Sequence, residues 1–161
     1  VMGTVNAAGA GCMCHSKSLL RALMRHILFE KGEALVMDME AGLEHLGRGT
    51  AKGVDVLLNV IEPRSQAIAL SWRIMRLASG LGIQEVLAVG NKLADHKEEI
   101  FLKEELGKEG TTLIGTIPFD EKIAEADMAR EAPLDFAPNS PAIAAIRDLE
   151  ALIKLKFAGK S

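Results

Sequence analysis

The 161-residue sequence predicts an α/β fold, a mostly parallel sheet with helices on both faces. Apolar runs of strand length recur at Ala34–Met39, Val54–Ile61, Glu85–Val89 and Thr112–Ile117. They are apolar throughout instead of alternating in polarity, as strands buried on both faces are. Segments of helical period separate them, so strand and helix alternate along the chain.

Each element has its own local reason. Gly-rich residues 7–11 open a loop into Cys12-Met-Cys14. Ser16 then caps a helix with Leu19, Leu20, Leu23, Met24, Ile27 and Leu28 at helical spacing, ended by Gly32. Ala34–Met39 is the first buried strand. Val54–Ile61 is the second, closed by Glu62-Pro63. Ser65 caps a helix carrying Ile68, Trp72, Met75 and Leu77, which ends near Gly80 and Gly82. Glu85–Val89 is the third strand, ending in Gly90-Asn91-Lys92. Asp95 with Glu98 forms a capping-box variant for a helix that stops at Gly107. Thr112–Ile117 is the fourth strand and runs into Pro118-Phe119-Asp120. Ser140-Pro141 starts a last helix through about Leu155, with proline at its favoured first position. One α/β domain over residues 1–161 is the simplest organisation.

Composition narrows the function. Charged residues are 25% of the chain and the net charge is −3, which gives no basic patch for nucleic acid. No apolar stretch reaches membrane-spanning length and no signal-peptide pattern opens the chain, so a cytoplasmic protein is expected.

The most informative stretch is Val36 to Thr50. An apolar run stops at Asp38, and Gly42 follows four residues later. An aspartate at the carboxyl end of a parallel strand is where an α/β fold holds a metal–phosphate complex. A nearby glycine lets a backbone N–H approach a terminal phosphate. The phosphate-cradling G-x-x-x-x-G-K-[ST] loop is absent from the sequence. Asn91-Lys92 and Pro118-Phe119 end two further strands, and ligands of open α/β sheets bind outside such ends. Any one of these sites alone reads as an ordinary strand terminator; their joint occurrence favours a nucleotide site. In Asn91-Lys-Leu-Ala-Asp95 the acid falls one residue too late for the guanine-reading Asn-Lys-x-Asp pattern. Asp95 is better explained as a helix cap, while the Asn91 amide, donor and acceptor together, suits the edge of adenine. His45 and Arg48 sit in the loop after Asp38, and His26 on a helical segment.

Cys12 and Cys14 are the chain's two cysteines. Two thiolates make half of a tetrahedral soft-metal site, which a two-fold dimer would complete, with His15 a further candidate ligand. A redox pair and two unremarkable loop thiols are the alternatives.

In their order, Cys12-x-Cys14, the motif from Met37 to Ala51, Glu62-Pro63, Asn91-Lys92 and Ile117-Pro-Phe119 resemble the CooC-type ATPases. These are nickel-insertion accessory proteins of carbon monoxide dehydrogenase, related to the acetyl-CoA synthase maturation ATPases and more distantly to MinD. The resemblance covers nearly the whole chain. It implies a P-loop NTPase-like fold of the MinD/SIMIBI type and an ATP-dependent homodimer. It implies that Asp38 lies near Mg²⁺ and that Gly42 senses the γ-phosphate of ATP or its loss in ADP. Asn91, Lys92, Pro118 and Phe119 would form the adenine side, and Cys12 and Cys14 would bind Zn²⁺ or Ni²⁺ between subunits. Members of that family begin with a Gly-Lys-Gly-Gly-x-Gly-Lys-Thr loop, which this sequence lacks. A C-terminal portion of such a protein is therefore expected, one that alone hydrolyses ATP very slowly or not at all. A non-catalytic metal-binding dimerisation module is the rival reading. A receiver-like domain phosphorylated on Asp38 is a weaker one.

Overall fold

A computed structural model of the chain describes residues 35–39, 54–83 and 85–157. They fall in two units, one containing 35–39 and the other containing 54–157. In the second unit the order is β1 (Val56–Ile61), α1 (Ser65–Gly80), β2 (Glu85–Leu93), α2 (His96–Gly107), β3 (Thr112–Pro118), α3 (Glu121–Ala129), α4 (Pro133–Phe136) and α5 (Pro141–Phe157). The strands form a parallel sheet in the order β1-β2-β3. All three therefore present their carboxyl ends to the same edge.

Register shows which helices cover which face. Asn59 pairs with Ala88, and Ile61 with Gly90. On that side the Asn59 Nδ2 donates to Ser71 Oγ of α1 at 2.7 Å, and a methyl group added at Gly90 would meet Leu102 of α2 at 3.1 Å. Val89, one residue earlier and so on the opposite side, pairs with Gly115. A methyl group at Gly115 would meet Leu149 of α5 at 3.2 Å. Helices thus lie on both faces. The core beneath α1 and α2 is Ile61, Ile68, Ala88, Leu93, Leu102 and Leu106, with Trp72 and Leu113 packed against it.

Coverage is uneven at β1. Leu87 and Val89 of β2 are 3% and 1% exposed, whereas their β1 partners Leu58 and Val60 are 38% and 57% exposed. This departs from the expectation that every strand is covered on both sides. A helix is about 10 Å across and strands are about 4.8 Å apart, so one helix spans roughly two strands. α5 lies over β3 and its Lys156 reaches Glu85 of β2 at 2.8 Å, while the far side of β1 stays exposed.

Local signals hold with some corrections. Asp95 caps α2 by accepting from Glu98 N–H at 3.0 Å, and Glu98 reaches back to accept from Ala94 N–H at 2.7 Å. That is a capping box displaced by one residue on its return bond. Ser65 is the first residue of α1 instead of its cap; Arg64 holds the cap position without a side-chain bond. α5 begins at Pro141 as the Ser140-Pro141 pair predicts, and β2 runs on through Leu93. Residues 121–129 and 133–136, which carry no apolar stripe in the sequence, form α3 and α4.

Within the run expected to be a strand, the described residues 35–39 are not one. Residues 35–39 have no regular structure, and Val36 is 88% exposed. A strand takes its hydrogen bonds from a neighbour, and residues 35–39 have no ladder partner among the described residues. Also among these, no helix is long and apolar enough to cross a membrane.

Candidate functional site

The carboxyl edge of the sheet gathers Glu62 after β1, Asn91 to Leu93 at the end of β2, and Pro118-Phe119 at the end of β3. A bulge at the end of β2 shapes this edge. Asn91 pairs with Ile117 and Leu93 with Pro118, so Lys92 has no opposite number in β3. Its φ is 57°, in the left-handed region that costs an L-residue roughly 1–2 kcal/mol. The extra residue reverses the alternation beyond it. Leu93 therefore shares the side of Gly90, and its Cδ1 would lie 3.0 Å from a methyl group added there. Leu93 is 6% exposed within the α1/α2 core. Burying a leucine stabilises by roughly 1.5–3 kcal/mol, enough to offset the backbone cost at Lys92.

The bulge throws the Lys92 side chain out of the ladder toward β1. Its Nζ donates to Glu62 Oε1 at 2.8 Å. Glu62 also faces Arg64 Nε at 3.3 Å. The Lys92 hydrogen bond and charge, with a smaller contribution from Arg64, hold the Glu62 carboxyl below its ordinary value.

Phe119 is mounted from both sides. Its N–H donates to Leu93 O at 2.8 Å, tying β3's end to β2's. Next to it, Asp120 accepts from Lys122 N–H at 3.0 Å, capping α3, and from Ala142 N–H in the first turn of α5 at 3.1 Å. Those bonds, the Ala142 one foremost, hold the Asp120 carboxyl below its ordinary value. Phe119 is 58% exposed. The same sheet edge thus carries an exposed aromatic on a fixed backbone and a half-buried asparagine at Asn91, residue types that can stack on and hydrogen-bond to a flat heteroaromatic ring.

The structure thus brings together Asn91, Lys92, Pro118 and Phe119. Asp95, bonded to Glu98 N–H, serves as a helix cap. Asp38 is exposed in the other unit. Gly42, Cys12, Cys14, His15, His26, His45 and Arg48 lie outside the described residues, as does the helix expected after Ser16. Among the described residues, no group of three or more His, Cys, Asp or Glu side chains is placed to hold a metal. Glu62-Pro63 reads in the sequence as a strand terminator; the partnership of Glu62 with Lys92 depends on strand register across 30 residues, which no local pattern encodes.

Comparison with known proteins fits this geometry. The chain is 44% identical over 138 residues to the carbon monoxide dehydrogenase accessory protein CooC of Rhodospirillum rubrum, covering 86% of this chain and 52% of that protein. It is 39% identical over 130 residues to an uncharacterized ATP-binding protein of Methanocaldococcus jannaschii, covering 79% and 49%. A second such protein from the same organism is 32% identical over 130 residues, covering 81% and 51%. The chain spans about half the length of these curated relatives. No family model matches it. Among solved structures, MinD of Aquifex aeolicus superposes with a TM-score of 0.52 at 20% identity, over 63% of this chain and 46% of that one. A chain of the MinC:MinD complex from the same organism gives 0.55 at 19%, over 70% and 48%. The latter likenesses establish the parallel α/β architecture, and the sequence relationships go further: over most of its length the chain is a relative of CooC, matching about half of that protein.

Proposed function

We propose that the chain supplies the base side of an ATP site in an accessory protein for nickel insertion into carbon monoxide dehydrogenase or acetyl-CoA synthase. The observation that carries the reading is the convergence of Asn91, Pro118 and Phe119 on the carboxyl edge of a parallel sheet, in a chain related to CooC. Phe119 offers a ring face for stacking on adenine, and the Asn91 amide offers a donor and an acceptor to its edge. Bound ATP would supply the phosphoanhydride bond whose loss changes the state of the protein. In this reading Asp38 lies near the Mg²⁺ and Gly42 meets the γ-phosphate, so the loop after Asp38 is a nucleotide-dependent switch.

Cys12 and Cys14 complete the reading. As two thiolates from each subunit of a homodimer they would make a four-sulfur site for Zn²⁺ or Ni²⁺, and the switch would couple nucleotide state to that shared site. Backbone amides and a lysine of a phosphate loop supply most of the phosphate binding in P-loop enzymes. Without one in its sequence, the chain alone is expected to hydrolyse ATP very slowly or not at all.

The test combines zinc and nickel titration with measurement of oligomeric state, with and without magnesium ATP. Wild type should bind one metal per dimer, and a Cys12→Ser, Cys14→Ser variant should bind none and lose metal-linked dimerisation. Dimerisation by metal with no ATP binding would favour the non-catalytic dimerisation module instead. Metal binding unchanged in the double variant would remove the shared-site assignment.

A further inference from the structure

We infer that Glu62 is a positioning residue for the nucleotide site, holding the Lys92 ammonium at the rim where the base side opens. The inference rests on the nucleotide reading of Asn91, Lys92, Pro118 and Phe119 and adds a residue and a mechanism to it. Three features of the edge carry it together.

The bulge comes first. Among the described residues the non-glycine positions with positive φ are Lys92 and Arg130. Arg130 simply ends α3 as its left-handed cap. Lys92 ends no helix: it is the unpaired residue of a strand, and bulges of this kind re-aim a side chain at the rim of a sheet. Second, the re-aimed side chain meets a specific acceptor. Ile61 pairs with Gly90, which places the next residue of β1's chain, Glu62, beside the end of β2. The 2.8 Å contact between Lys92 Nζ and Glu62 Oε1 follows from that register.

Third, the pair is poorly suited to a stabilising role. The Lys92 and Glu62 side chains are 59% and 31% exposed, and exposed ion pairs contribute little to stability. What such a pair does accomplish is to restrict a flexible lysine. A free lysine must be immobilised when it meets a ligand; one already held on a carboxylate has lost that freedom beforehand. Arg64, on the same carboxylate at 3.3 Å, keeps the trio net positive, so the edge stays attractive to an anion.

In this role Glu62 acts through Lys92. Magnesium ADP affinity, read by calorimetry on the full chain, should fall about three- to tenfold in Glu62→Gln, the size expected for one lysine released from its preferred position. Glu62→Asp should recover part of the loss. Lys92→Met should weaken binding at least as much, and the Glu62→Gln, Lys92→Met double variant should be no weaker than Lys92→Met alone. A purely structural role would not give that coupling. Independently of any nucleotide, acylation of the Lys92 amine, followed by mass spectrometry, should be faster in Glu62→Gln than in wild type. Additive losses in the double variant would overturn the inference. So would tighter ADP binding in Glu62→Gln, which would make the carboxylate a competitor of the anion. Unchanged acylation of Lys92 would overturn it too. If wild type shows no ADP binding, the nucleotide reading itself falls and the inference with it. If wild type binds ADP and Glu62→Gln binds equally well, the inference alone fails.

Discussion

The carboxyl edge of β1–β3 and the segment around Asp38 were both expected to touch nucleotide, and they are built very differently. At the carboxyl edge, each residue is fixed by bonds to neighbouring elements. Phe119 N–H is held by Leu93 O, Asp120 straps α3 to α5, and Leu93 sits in the core. Residues 35–39 have no regular structure and an almost fully exposed valine. Order in the two regions has different sources. The carboxyl edge is built from consecutive βαβ units whose strands pair in register with one another. Residues 35–39 have no ladder partner among the described residues.

The largest effect that separates the two regions lies in the core beneath the edge. Leu102 is fully buried against Gly90 and Leu93. Leu102→Ala should lower unfolding free energy by about 2–5 kcal/mol in denaturant titration. Asp38→Ala, in an exposed irregular segment, should stay within about 0.5 kcal/mol. Equal losses would erase the contrast. Next in size is the cap of α2: Asp95→Ala should cost about 1 kcal/mol by removing the acceptor for Glu98 N–H. The same variant should leave base selectivity unchanged, because the carboxylate serves the helix.

A smaller effect is readable in the acid limb of stability. The Ala142 N–H, foremost, lowers the Asp120 pKa in the folded protein. A depressed folded value means that the contribution is fully present above the ordinary aspartate range and is lost as pH falls through the lowered value. Asp120→Asn should therefore flatten that part of the acid unfolding curve and leave the neutral-pH side less affected. A curve identical to wild type would mean that the carboxylate does not tie α3 to α5 as described.

Much of this architecture was legible in the sequence, for identifiable reasons. Val54–Ile61, Glu85–Val89 and Thr112–Ile117 are apolar runs bounded by turn residues, which suffices to place β1, β2 and β3 to within a few residues. Asp95 with Glu98 announced α2, and Ser140-Pro141 announced α5. Helix α3 was not visible because it buries little, with Ala126 its one fully covered residue, so no apolar stripe marks it. Ala34–Met39 looked like a strand because apolar runs report a preference for burial and cannot report whether a neighbour is present to pair with. The conformation of Lys92 was invisible for the opposite reason. Lysine is a poor choice for positive φ, and the burial of Leu93 overrides that local preference. The site followed the same division: Asn91, Pro118 and Phe119 could be picked out as strand ends, whereas Glu62 emerges as a partner of Lys92 only from register.

The role proposed for the carboxyl edge of the sheet is to hold an adenine nucleotide by its base. Calorimetric titration of the chain with magnesium ADP and magnesium GDP, in wild type and Asn91→Ala, tests it most directly. Saturable ADP binding, weaker GDP binding, and a loss of about tenfold or more in ADP affinity on removal of the Asn91 amide are expected. Absent ADP binding, equal affinity for the two nucleotides, or an Asn91→Ala variant that binds ADP as wild type does would contradict it.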